Sequence, residues 1–110
     1  FMIDYKELLD SYLNGTHRPS KIYVALCAEA YFTAEQDQST GIAGYDIQPA
    51  VVDEIAEEIK AYFEQYEATV KIIDVHTLTE ENPQWFEKDG IHPNNDGAKA
   101  IAELVAEAIR

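Results

Sequence analysis

The chain has 110 residues, enough for a single domain. Its 21 acidic residues against 8 basic ones leave a formal net charge of -13, and no lysine and arginine cluster is present to neutralise phosphates, so neither nucleic acid nor an anionic membrane is an expected partner. The single cysteine, Cys27, excludes an internal disulfide and a cysteine-built zinc site, and no apolar run approaches the ~18 residues of a membrane span.

The chain opens Phe1-Met2, unlike a fresh translation product, which reads as a processed chain, an engineered one or a piece of something longer. Tyr5, Leu8, Leu9, Tyr12 and Leu13 recur at helical spacing, with Asp4 as the expected N-cap and Asn14-Gly15 as the stop. Residues 21–26 form a nearly continuous apolar run and predict a strand. Residues 27–46 follow as a long loop containing Tyr31, Phe32, Gly41, Gly44 and Tyr45. Loops of that length inside compact domains are often functional.

A second helix is predicted over residues 48–66, with Pro49 suited to its first turn and Val52, Ile55, Ile59, Tyr62, Phe63 and Tyr66 on one face. Residues 69–75 predict a second strand. A short helical turn is expected over 79–86, broken near Pro83, and a third helix over 96–109, capped by Asn94 or Asn95. Cys27 is expected to be small and buried at a strand end.

Both strands are apolar on two faces, the mark of parallel strands covered by helices. The alternation of helix and strand predicts an α/β fold with a parallel sheet. Two strands alone make a marginal sheet with open edges. The expectation is that further strands come from another chain or from a part preceding residue 1.

The stretch Asp89-Gly90-Ile91-His92-Pro93-Asn94 carries the most specific chemistry. A carboxylate three residues before an imidazole can accept a bond from Nδ1–H, fix the tautomer and leave Nε2 to act on a nucleophile. Pro93 biases His92 toward extended backbone, and Gly90 permits a conformation that bulkier residues resist. Alone, Asp-x-x-His is better read as a helix-approach loop with an exposed histidine. The glycine, the proline and the amphipathic helix behind them shift the reading to a base with an acid. The chain supplies no obvious nucleophile: Ser11, Ser20 and Ser39 do not follow a strand in a sharp glycine-bearing turn.

Residues 86–110, above all Asp89-Gly90-Ile91-His92-Pro93-Asn94-Asn95-Asp96-Gly97, resemble the last block of the SGNH (GDSL-type) hydrolases, in the carbohydrate O-acetylesterase (sialate O-acetylesterase-like) branch. The resemblance implies a three-layer α/β/α flavodoxin-like fold. It also implies a Ser-His-Asp triad in which Asp89 is the acid and His92 the base. The family's Gly-Asp-Ser block and its Gly-x-Asn-Asp block have no match here. The order of helices and strands agrees with the family's second half, and the strand-end segment Leu26-Cys27-Ala28-Glu29-Ala30 is a proline-free variant of what relatives carry. The implied substrate is an acylated carbohydrate or similar small ester. The implied partner is the N-terminal half of the same domain or a second copy of the chain, and no cofactor is implied. A non-catalytic module that pairs through its open sheet edge is the competing function.

Tyr31, Phe32, Tyr45 and Trp85 fit either an aromatic wall for a sugar ring or loop packing onto the sheet, and Tyr31 and Phe32 are the first choices for substrate contact. A metal set of Asp74, His76, Asp89 and His92 can be drawn, but nothing in the spacing demands it. His76 is better read as a strand-end polar residue bonded to loop backbone. His17 reads as a surface residue. Glu54, Glu57, Glu58, Glu103 and Glu107 fall on polar helix faces.

Overall fold

The computed structural model describes residues 1–32, 42 and 47–110. Two strands, β1 (Ile22–Ala25) and β2 (Val70–Ile73), lie parallel with Ile22 opposite Val70 and Ala25 opposite Ile73. Around them are α1 (Met2–Leu13), α2 (Pro49–Phe63), α3 (Val75–Glu80) and α4 (Asn95–Ala108), with 3-10 turns at Glu64–Tyr66 and Pro83–Trp85.

Strand alternation sorts the layers. Val24, Leu26 and Val70 point to one side, where they meet Leu13 of α1 and Ala56, Ile59 and Phe63 of α2 in the buried core. Burying residues such as Ile59 and Phe63 stabilises the fold by roughly 1.5–3 kcal/mol each. Tyr5 closes this layer with an edge-on contact to Phe63 at 6.5 Å. Lys71 and Ile73 point to the other side, where they line a shallow cleft with Leu104 and Ala108 of α4. The Lys71 ammonium donates to the Ala108 carbonyl at 3.1 Å. The sheet is therefore covered by α1 and α2 on one face and α4 on the other. Tyr23 and Ala25, which share the α4 side of β1, are exposed.

The predicted elements depart from the observed ones at particular residues. The second strand stops at Ile73 because the Asp74 carboxylate accepts from the Thr77 N–H at 2.9 Å and from its hydroxyl at 2.8 Å, capping α3. Thr79 thus lies in the last turn of α3 and does not begin a helix. Asn82, which lies outside the helical region at φ -126° and ψ 60° before Pro83, separates α3 from the Pro83–Trp85 turn. The first helix begins at Met2, so Asp4 sits in its first turn and is not its cap. Cys27 is exposed, because the alternation that buries Leu26 at 2% exposure turns the next side chain outward.

Candidate active site

The segment between the Pro83–Trp85 turn and α4 folds back on itself. Phe86 and Pro93 form an antiparallel bridge. The Glu87 N–H donates to the His92 carbonyl at 2.8 Å, and the Gly90 N–H to the Glu87 carbonyl at 3.0 Å. Asn94 pins the exit: its N–H donates to the Trp85 carbonyl at 2.8 Å, and its side-chain oxygen caps α4 by accepting from the Gly97 N–H at 3.0 Å.

Inside this loop Asp89 uses both carboxylate oxygens. Oδ1 accepts the N–H groups of Ile91 and His92 at 2.9 and 3.0 Å. Oδ2 lies 2.5 Å from Nδ1 of His92. The bond to the His92 ring, and then the two backbone N–H groups, hold the Asp89 carboxyl at about 2, well below the usual range. Asp89 is therefore an ionised acceptor at neutral pH. Nδ1 of His92 must carry the shared proton, and the lone pair of the neutral ring falls on Nε2. The His92 side chain is 60% exposed. Sequence reasoning from one i, i+3 spacing thus brought together the two residues that the structure brings together.

The loop is seated at the carboxyl end of the sheet, where ligands of open α/β folds bind. Tyr31 turns its ring to Phe86, with centroids 5.1 Å apart, and its hydroxyl donates to the Thr79 carbonyl. Its side chain therefore reaches the dyad loop and α3. Phe32 is partly buried at the end of the same described segment. Ser11 lies in α1, with its hydroxyl on the Leu8 carbonyl at 2.5 Å. Ser20 precedes β1 at the opposite end of the sheet. Ser39 and Tyr45 lie outside the described residues.

A second polar cluster was not legible in the sequence. His76, 4% exposed, lies in the first turn of α3, and its Nε2 is 3.0 Å from Oδ1 of Asp53 and 3.5 Å from Oε2 of Glu29. Its Nδ1 is 3.2 Å from the Cys27 carbonyl, a loop-backbone bond as expected. Glu29 is buried. That burial, followed by the hydrogen bond with Asp53, raises its carboxyl above the usual range. The metal set drawn from sequence does not assemble: Asp74 caps α3 and pairs with Lys60 at 2.9 Å, and Asp89 holds His92. The only advance signal for the observed cluster is position, since Glu29 and His76 both lie just past strand ends.

Comparison with known proteins gives a concordant result. The family model described as GDSL-like Lipase/Acylhydrolase matches residues 6–105. An acetylxylan esterase of Xylanibacter ruminicola is 40% identical over 60 residues, which are 54% of this chain and 12% of that protein. The esterase domain of the ZfL2-1 ORF1 protein from the zebrafish ZfL2-1 retrotransposon has the same fold, with a TM-score of 0.74 at 16% identity, over 99% of this chain and 60% of that one. The chain thus spans only part of the length of both relatives. The shared fold is of the α/β flavodoxin-like class.

Proposed function

Since the chain belongs to the GDSL-like lipase/acylhydrolase family, we propose that it supplies the acid and base of a serine esterase that removes acetyl groups from carbohydrate. The observation that carries this reading is the 2.5 Å bond between Asp89 and His92 on a loop held from both sides. The likeness to an acetylxylan esterase supports acetylated carbohydrate as the substrate class.

The nucleophilic serine comes from outside these 110 residues, from the other part of the same domain. It attacks the ester carbonyl while Nε2 of His92 takes its proton. Asp89 keeps the ring in the required tautomer and stabilises the imidazolium that forms. The tetrahedral intermediate collapses, and His92 returns the proton to the departing sugar hydroxyl. Water then repeats the cycle on the acyl-enzyme. The oxyanion donors also come from the other part of the site.

A fluorophosphonate probe tests the division of labour. The 110-residue chain alone is expected to stay unlabelled. The longer protein that contains it is expected to label on a serine outside residues 1–110, and His92→Ala should slow that labelling by about a thousandfold. His92-dependent labelling of Ser11, Ser20 or Ser39 would overturn the proposal. If no serine reacts in the longer protein, the competing reading stands, a non-catalytic module that pairs through its open sheet edge.

A further inference from the structure

We propose that Glu29, Asp53 and His76 form a binding site for one divalent cation, with zinc as the best match. No residue of this set belongs to the Asp89–His92 pair. The three residues reach one point from three elements: the segment leaving β1, the first half of α2 and the first turn of α3. One ligand atom from each lies within 4.8 Å of the others.

The spacing suits a first-row metal. Zinc holds imidazole nitrogen and carboxylate oxygen at about 2.0–2.2 Å, so two ligands at a tetrahedral angle stand about 3.4 Å apart. The observed separations from Nε2 of His76 are 3.0 Å to Asp53 and 3.5 Å to Glu29. A nitrogen with two carboxylate oxygens is also a donor set that zinc accepts and that calcium or magnesium, which prefer all-oxygen sites, match less well.

The tautomer of His76 sharpens the case. The Cys27 carbonyl, 3.2 Å from Nδ1, can only accept a hydrogen bond, so Nδ1 carries the proton. In the neutral ring Nε2 then presents a lone pair to two carboxylates, which are themselves acceptors. With both carboxyls ionised, in place of the proton that their mutual hydrogen bond holds, these three acceptors converge on one spot that a positive centre satisfies. A divalent ion serves all three at once, whereas a proton on Nε2 serves chiefly the nearer carboxylate. An Nδ1–H bonded to a backbone carbonyl is also the usual outer support of a metal-binding histidine. The Ala30 N–H holds the other oxygen of Glu29 at 2.8 Å, which leaves Oε2 facing the ring.

Bound there, the ion would tie the β1 exit to α2 and α3. The same exit segment continues to Tyr31, which braces Gly90. The cation would therefore fix the wall behind the dyad loop without touching the dyad.

Calorimetric titration of the metal-free 110-residue chain with zinc chloride near pH 7, paired with thermal melts, tests this. One equivalent is expected to bind with a Kd at or below about 10 µM, and the Tm to rise by at least about 4 °C. Asp53 is half exposed, so Asp53→Asn is expected to fold, as circular dichroism can verify, and to weaken binding at least tenfold. Asp89→Asn is expected to leave binding unchanged. No heat and no Tm shift at millimolar zinc would overturn the proposal. So would a folded Asp53→Asn variant that binds like the parent, or binding that is lost with Asp89→Asn.

Discussion

The backbone N–H of Tyr31 donates to the Gly90 carbonyl at 2.8 Å, and the two residues approach so closely that a Cβ on Gly90 would stand 1.9 Å from the Tyr31 carbonyl oxygen. Gly90 also has φ of +74°, which L side chains rarely adopt. The bond that seats the dyad loop therefore needs a residue without a side chain.

Gly90→Ala is expected to lower stability by about 2 kcal/mol or more, because it combines left-handed strain with a contact against backbone that cannot rotate away. The midpoint of urea unfolding reads this directly. A variant as stable as the parent would show that the Tyr31–Gly90 contact does not hold the loop.

Asp89 sets a pH dependence with a definite sign. Its folded value of about 2 lies below the ordinary ~3.9 of a free aspartate. The fold thus favours the ionised form, a contribution fully present above about pH 4 and lost as pH falls from about 4 toward about 2. The pair is solvent-accessible, so salt should shrink the effect. A carbon-13 titration of the Asp89 carboxyl is expected to show the low midpoint, and His92→Ala should return it toward the ordinary value. An ordinary midpoint in the parent chain would contradict the observed geometry.

The legible parts of this molecule are the local ones. The faces of α2 and α4 follow from apolar residues at helical spacing, and Val24 and Val70 announce buried strands by their neighbours. Asp89 and His92 meet because a single turn carries both, with Gly90 and Pro93 shaping it. The misread boundary at Asp74 comes from one side chain that caps a helix where the apolar run alone suggests more strand. Glu29, Asp53 and His76 were hidden for a different reason. They are more than twenty residues apart in the sequence, and only the pairing of β1 with β2 and the return through α2 bring them together. The placement of Tyr31 is hidden in the same way, since its partners Thr79 and Gly90 are distant in sequence and its ring type alone suited a sugar equally well.

We propose Asp89 and His92 as the acid and base of an esterase whose serine lies outside residues 1–110. Hydrolysis of an aryl acetate tests it, measured on residues 1–110 joined to the proposed serine-bearing part, on the His92→Ala variant of that protein and on the 110-residue chain alone. Turnover is expected from the joined protein, with kcat lower by about a thousandfold and KM little changed in the variant, and none from the chain alone. Undiminished turnover in the His92→Ala variant, or His92-dependent turnover by the chain alone, would contradict it.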